Sequence, residues 1–243
     1  MKISFLKNIK IIFALLFLVS SCQGYIKNEV VSNTDYLRDI KLELQKKWPK
    51  NRTINLVFHG HSVPAGYFTT PVVNTSSSYP YLLLRELKNR YSYAVINVIN
   101  TSVGGENSLS GAKRFKTEVL VHNPDLIFID YALNDRSPGL RQAGEAWEYM
   151  ILEALKRHIK VILLTPSPDQ RVNILEPSNE LEKHAQQIKA LAKKYGVGLV
   201  DSYELFHEIA VRGDSISNYM SQVNHPNEKG HQLITNDIMK YFQ

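Results

Sequence analysis

Five short apolar runs, separated by stretches with helical periodicity, constrain the fold of this chain more than any other feature. The runs are rich in β-branched and aromatic residues, as buried strands are, and they cover residues 54–58, 94–99, 126–131, 161–164 and 197–200. Apolar residues at three- and four-residue spacing predict helices over residues 36–48, 79–90, 139–158, 180–195, 203–211 and 228–241. Alternating strands and helices favour a parallel sheet covered on both faces. We therefore predict an α/β fold, a three-layer α/β/α sandwich with a five-stranded parallel sheet.

One further helix is predicted between the second and third strands. Either Ser108 or Ser110 has a hydroxyl suited to capping its first turn, and the helix runs to about His122. The segment between the helices at 203–211 and 228–241 is predicted to be a loop.

The N-terminus has the pattern of an export signal. Lys2, Lys7 and Lys10 precede or flank an apolar run over residues 11–19, which is too short for a comfortable membrane span, and Cys22 follows. The pattern is similar to a bacterial lipoprotein signal, in which Cys22 becomes the lipidated first residue; a plain signal peptide with an incidental cysteine is the alternative. We expect an exported protein, periplasmic or at the cell surface, anchored through Cys22. The predicted division is a signal over residues 1–22, a tether and N-terminal helix over 23–50, and one domain over 51–243.

Charge and cysteine content exclude several classes of protein. The formal net charge is +6, and without the three lysines of the signal there are 26 basic and 23 acidic residues. The basic residues are scattered, which argues against a nucleic-acid partner. Cys22 is the only cysteine, so a chain lipidated there has neither a disulfide nor a catalytic thiol.

Polar residues with catalytic potential follow three of the predicted strands. Ser62 comes after the first strand, Gly104 and Gly105 after the second, and Asn134 after the third, while His225 precedes the last helix. The carboxyl ends of parallel strands meet at one edge of a sheet, where open α/β folds bind ligands. Acyl transfer needs a hydroxyl, a base for its proton and donors for the developing oxyanion. These residue types would supply all three.

The same positions carry a resemblance to a known family. Across nearly the whole predicted domain the chain resembles the SGNH (GDSL-type) hydrolases, whose sequence blocks occur here in order: Gly60-His61-Ser62, Gly105, Ala132-Leu133-Asn134-Asp135, and His225-Pro226 with Gly230. The resemblance implies a flavodoxin-like sandwich and a serine esterase with Ser62 as nucleophile and His225 as base. It implies an oxyanion hole made by the backbone N–H groups of Ser62 and Gly105 and by the Asn134 amide. It also implies that neither a metal nor a cofactor is needed.

Three residues depart from the family pattern. His61 replaces the Asp that precedes the nucleophile, and Ala132 replaces the third-block Gly. Gln222 stands three residues before His225, where the family has the Asp of its catalytic triad. Replacing that carboxylate by an amide in a triad protease lowers turnover by roughly ten-thousand-fold.

The exchange at Gln222 leaves three possibilities for orienting His225. A backbone carbonyl or the Gln222 carbonyl would accept from the ring and make a Ser–His dyad. Alternatively, the carboxylate of Asp201 or Asp214 would reach the ring, or the enzyme would be weak. We favour a carbonyl, because it accepts from an N–H even without a charge.

Several neighbouring residues have a structural interpretation beside a functional one. Gly104 is an alternative oxyanion donor to Gly105. Asp135 either holds its loop or contacts substrate, and His61 is more simply a neighbour of the nucleophile than a participant. Tyr67, Phe68 and the loop over residues 166–177 are candidates for lining the site. The remaining histidines, expected at solvated positions on predicted helices, are His122, His158, His184 and His207.

Two other classes of function compete with a serine esterase. His59 and His61 lie at i and i+2 of a strand and would point to one face, so a metal-dependent hydrolase completed by His225 or His231 is one hypothesis. A non-catalytic glycan-binding lipoprotein that has lost its triad acid is the other.

Within the esterase class, export favours a polar extracellular ester. We therefore predict an acyl, and specifically acetyl, ester on carbohydrate as the substrate, with a lipid or lysophospholipid ester as the alternative. The predicted partner is a small-molecule or glycan ester, and the membrane is contacted only through the anchor.

Overall fold

A computed structural model describes residues 33–243 and contains the predicted five-stranded parallel sheet. The predicted signal and Cys22 lie outside the described residues. The strands are β1 (Thr53–Gly60), β2 (Val95–Asn100), β3 (Leu126–Asp130), β4 (Lys160–Leu164) and β5 (Gly198–Val200), in the order β2-β1-β3-β4-β5. The predicted α/β fold is thereby confirmed.

Helices cover both faces of the sheet. They are α1 (Asn33–Tyr36), α2 (Arg38–Leu44), α3 (Ser62–Ala65), α4 (Tyr79–Arg90), α5 (Ser108–Arg114), α6 (Gly139–Leu155), α7 (Glu180–Tyr195), α8 (Ser202–Val211) and α9 (Glu228–Met239). The ring of Phe58 packs on Tyr79 of α4, whereas the adjacent His59 packs on Phe115, just beyond α5. Successive residues of a strand point to opposite faces, so α4 and α5 lie on opposite sides of the sheet.

The strands differ in burial according to their place in the sheet. Every residue of β3 is buried, as expected for an inner strand between two helical layers. The prediction that the run at 94–99 is a buried strand is wrong for β2, which is only half-buried, with Val95 48% exposed. This strand pairs with β1 alone and forms an edge of the sheet, so its side chains lack a neighbour on one side.

Two further helical predictions need correction. The helix expected over 108–122 is α5 followed by a π-helical turn (Phe115–Val119) and a 3₁₀ turn (Leu120–His122), and its cap is Asn107, whose side chain accepts from the Ser110 N–H. His184 is buried rather than solvated, because it lies three residues beyond Leu181 on the face of α7 that packs against the sheet.

The segment predicted to be a loop before α9 contains a small antiparallel hairpin. Its strands are β6 (Met220–Gln222) and β7 (His225–Pro226), and their register places Gln222 opposite His225. Within residues 33–243, every helix is too short or too polar to cross a membrane.

Candidate active site

Ser62 is presented at the carboxyl end of β1 by a sharp strand-to-helix transition. His61 caps α3 with its side chain, and Ser62 is the first residue of that helix. The turn needs glycine at position 60, since a Cβ there would lie 2.4 Å from the backbone oxygen of Asp130. The helix ends at Gly66 with φ +91°, a left-handed conformation that favours glycine. Ser62 is therefore held by the sheet rather than by a free loop.

His225 lies beside the hydroxyl of Ser62. Its Nε2 is 2.9 Å from Ser62 Oγ, and its Nδ1 is 2.9 Å from the backbone oxygen of Phe68. A carbonyl only accepts hydrogen bonds, so the proton of the neutral ring belongs on Nδ1, where Phe68 accepts it. Nε2 is then left as the acceptor for the hydroxyl of Ser62, which is the tautomer that a general base requires.

Gln222 contacts the same ring through the β6–β7 pairing. Its Nε2 is 2.6 Å from Nδ1 of His225, and its Oε1 accepts from the backbone N–H of Thr70 at 3.0 Å. Rotating the amide by 180° would offer Oε1 to the Nδ1 proton as a second acceptor, at the expense of the bond to Thr70. As placed, the Nε2 amide and the protonated Nδ1 are both donors, so Gln222 lies against the ring without a hydrogen bond to it and is bonded to Thr70 in the loop that carries Phe68.

No carboxylate contacts the ring of His225 among the residues that the structure describes. Asp201 caps α8 and binds Lys189, and Asp214 accepts hydrogen bonds from Tyr219 and Asn218. Of the three possibilities left open by the sequence, this geometry corresponds to orientation by a carbonyl.

The surroundings of His225 lower its pKa. Burial is the largest cause, because it disfavours the charged ring; the hydrogen bond to the Phe68 carbonyl acts in the opposite direction, and His61 lowers the pKa further. The neutral, proton-accepting form is therefore favoured over a wider pH range than for a histidine in water.

Asn134 is bonded to the residue that follows Gly105 in the loop after β2. Asn134 donates one of its two amide hydrogens to the backbone oxygen of Glu106 at 2.9 Å, which leaves the second for a ligand. Gly105 has φ +79°, with open space where a Cβ would stand, and its N–H donates no hydrogen bond within residues 33–243. Gly104, by contrast, is packed against the ring of Tyr67. Gly105 is thus better placed than Gly104 to face a ligand.

Glu106 is itself fixed by an ion pair. Its carboxylate binds Arg114 and accepts from Tyr131 at 2.9 Å, and the side chains of both Glu106 and Arg114 are largely buried. This pair anchors the loop to which Asn134 is bonded.

Asp135 is fully buried and makes no approach to the surface. Its two carboxylate oxygens accept from the backbone N–H of Ser108 at 2.8 Å and from the indole of Trp147 at 2.6 Å. Burial raises the pKa of Asp135, and the hydrogen bond from Ser108 opposes that shift. The geometry fits the structural interpretation of Asp135, which ties α5 to α6.

His59 and His61 enter different hydrogen-bond networks. The ring of His59 contacts Thr101 Oγ1 at 2.9 Å and the hydroxyl of Tyr131 at 3.1 Å, and burial lowers its pKa to about 3. The ring of His61 instead faces Asp130. Among the described residues, no group of three or more His, Cys, Asp or Glu side chains is arranged to hold a metal ion.

Sequence reasoning missed the acceptor that Phe68 provides, as well as Asp130. The acceptor is a backbone oxygen, which every residue has, so the type of residue at position 68 does not indicate it. The sequence signal for Asp130 is weak, since it is a charged residue at the end of an otherwise apolar strand, LIFID.

Comparison with known proteins gives a family and a fold. The profile of the GDSL-like lipase/acylhydrolase family matches residues 58–233. The chain superposes on a two-domain esterase (CEX) active on acetylated mannans with a TM-score of 0.71 and 19% identity, over 89% of this chain and 55% of that one. It also superposes on Axe2, an acetylxylan esterase from Geobacillus stearothermophilus, with a TM-score of 0.65 and 19% identity, over 78% of this chain and 94% of that one. The chain thus spans about half the length of the two-domain esterase. No curated protein matches its sequence.

Proposed function

Since the chain belongs to the GDSL-like lipase/acylhydrolase family and is a carboxylic ester hydrolase, we propose that it is a serine esterase that removes acetyl groups from O-acetylated carbohydrate. The observation that carries the proposal is the 2.9 Å contact between Ser62 Oγ and His225 Nε2, with the opposite ring nitrogen bonded to a carbonyl. A nucleophile and an oriented base are the minimum that acyl transfer requires.

In the proposed mechanism, Ser62 Oγ attacks the ester carbonyl while His225 Nε2 takes the hydroxyl proton. The backbone N–H groups of Ser62 and Gly105 and the Asn134 amide donate to the tetrahedral oxyanion. Collapse of this intermediate breaks the bond to the sugar oxygen, which leaves as a hydroxyl with the proton from His225. Water, deprotonated by His225, then attacks the acetyl group on Ser62, and acetate and free serine result.

Two esterases of similar fold support a carbohydrate substrate, because one is active on acetylated mannans and the other is an acetylxylan esterase. We place the enzyme outside the cytoplasm, anchored through Cys22, where such polymers are accessible. A lipid or lysophospholipid ester is the second candidate, motivated by the breadth of the family.

Hydrolysis of p-nitrophenyl acetate by the full chain in mild detergent is the first test. We expect activity that survives EDTA and falls by about 10⁴-fold or more in Ser62→Ala, as for the nucleophile of other serine hydrolases. The matched control is Ser92→Ala, at an exposed position, which should retain full activity. Acetate release from acetylated xylan or mannan, compared with fatty-acid release from a lysophospholipid, then decides the substrate.

Other results would contradict the proposal at different levels. Activity lost with EDTA but kept in Ser62→Ala would favour a metal-dependent hydrolase at His59 and His61. A folded wild type without activity on any of these esters would favour the non-catalytic glycan-binding protein. Activity on lysophospholipid alone would replace the carbohydrate substrate and leave the serine mechanism in place.

A further inference from the structure

A buried carboxylate lies beside His61, the residue that precedes the nucleophile. Asp130 ends β3 and is only 4% exposed. Its Oδ2 accepts from the hydroxyl of Tyr79 at 3.1 Å, and its Oδ1 lies 3.3 Å from Nε2 of His61. Neither Oδ1 nor Nε2 makes a hydrogen bond among the described residues, so the two atoms approach each other without forming one. Burying a carboxylate with so few partners is costly, so its position beside the site needs an explanation.

His61 connects this carboxylate to the nucleophile. Its Nδ1 accepts from the backbone N–H of Val63 at 3.2 Å, so the proton of the neutral ring belongs on Nε2, the nitrogen that lies 3.3 Å from Oδ1 of Asp130. The same Nδ1 is 3.5 Å from Ser62 Oγ. Asp130, His61 and Ser62 therefore form a line of neighbouring side chains that reaches the hydroxyl separately from His225.

The sheet itself fixes this line. Gly60 is the register partner of Asp130, and the backbone N–H of His61 donates to the backbone oxygen of Asp130 at 3.2 Å. Any displacement of the pair relative to Ser62 would require β1 to slip against β3. The carboxylate is thus held as rigidly as the nucleophile.

We propose that Asp130, acting through His61, supplies the negative charge that this site lacks at position 222. The proposal rests on the serine mechanism above, in which His225 becomes positively charged as Ser62 attacks. A buried negative charge stabilises that cation across the site. Asp130 and His61 are positioning residues, since neither one touches the substrate.

The carboxylate that lies against His61 is that of Asp130. Besides Ser62, the groups that face His225 are His61, Tyr67 and His231 on α9. Burial lowers the pKa of His231 to about 3, and it is neutral at working pH. Asp130 in turn faces His61 and the neutral hydroxyl of Tyr79. The buried carboxylate of Asp135 also interacts electrostatically with His61, as the smallest cause of the shift in its own pKa.

Removal of this charge by an isosteric change tests the proposal. In the full chain, Asp130→Asn should lower kcat on p-nitrophenyl acetate by about 10- to 100-fold with KM unchanged, less than the roughly 10⁴-fold loss for a triad carboxylate in direct contact with the base. It should also move the acid limb of the kcat/KM profile to lower pH, because the cationic form of His225 loses a stabilising charge. Asp125→Asn is the matched control, since Asp125 precedes the same strand at its other end and binds Arg52.

A double-mutant cycle separates charge from structure. Gln222→Asp places a carboxylate next to Nδ1 of His225, so in that background Asp130→Asn should cost less than about threefold. His61→Asn retains a good helix cap but interrupts the line, and it should reproduce the kcat loss of Asp130→Asn without adding to it in the double variant. If Asp130→Asn does not fold, the acid limb of the kcat/KM profile is measured on His61→Asn instead.

The outcomes are distinct. An unchanged kcat and acid limb in Asp130→Asn would assign Asp130 a purely structural role and overturn the inference. So would a loss of kcat from Asp130→Asn that is the same whether residue 222 is Gln or Asp. A wild type with no esterase activity would instead remove the proposed function on which the inference depends.

Discussion

Two imidazoles lie near the hydroxyl of Ser62, and they differ in the groups next to their other ring nitrogen. His225 is 2.9 Å from the hydroxyl and is backed by uncharged groups, the Phe68 carbonyl and the Gln222 amide. His61 is 3.5 Å from the same hydroxyl and is backed by the carboxylate of Asp130. In a serine triad the base and the carboxylate lie on the same side. Here the base has no carboxylate beside it, and the buried carboxylate of Asp130 lies next to the other imidazole.

The two sides also differ in how they are built. Asp130 ends β3 and His61 directly follows the end of β1, so their relative position follows from the register of the two strands. His225 lies on a two-residue strand of a hairpin, and its acceptor Phe68 lies on a separate loop. His61 and Asp130 are therefore held by the central sheet, whereas the base depends on two segments outside it.

Loss of the base should cause the largest decrease in kcat. His225→Ala should lower kcat on p-nitrophenyl acetate by about 10³- to 10⁴-fold, because no other group takes the Ser62 proton. The Nδ1 of His61 already accepts from Val63 and is a poor substitute. The measurement is steady-state kinetics, with His207→Ala as the control, since His207 pairs with Glu204 on α8 away from the site. A loss below tenfold would mean that His61 is the base and would invert the roles of the two rings.

Loss of the side chain at 222 should have a much smaller effect. In Gln222→Ala the Nδ1 proton of His225 keeps the Phe68 carbonyl as its acceptor, and one neutral hydrogen bond contributes about 0.5–1.5 kcal/mol. We therefore expect a decrease in kcat of no more than about tenfold. Gln170→Ala is a suitable control, because it also removes an amide that bonds to the hairpin but does not contact the ring. A loss near that of His225→Ala would show that the amide, not the backbone carbonyl, orients the base.

The sequence predicted most of the sheet because the relevant signals are local. Apolar runs marked all five strands, and the helices over Tyr79–Arg90 and Glu180–Tyr195 have the predicted bounds. The half-exposed character of β2 was not predicted, because the order of strands in the sheet is a property of the whole fold. The hairpin of β6 and β7 was missed because its short strands, MSQ and HP, form neither an apolar run nor an alternating pattern.

The candidate site was predictable only where side chains carry the chemistry. Ser62 and His225 come together as expected, although their roles stay a prediction until activity is measured. The Phe68 carbonyl has no sequence signal of its own. Asp130 was passed over because a single charged residue at the end of an apolar strand is difficult to distinguish from a strand boundary, until the register shows that it faces His61.

The smallest expected effect concerns the pH dependence of the wild type, which measures the pKa of His225 directly. Burial lowers the pKa of this ring below its ordinary value of 6.5, and the Phe68 bond only partly opposes the shift. The base acts when neutral, so kcat/KM should persist as the pH falls through 6.5 and decline only at lower pH. Since p-nitrophenyl acetate does not titrate, the acid limb belongs to the enzyme. Gln222→Asp should return the limb toward higher pH, because a carboxylate beside Nδ1 favours the cation. An acid limb at or above pH 6.5 in the wild type would mean that a negative charge already acts on His225 more strongly than burial does.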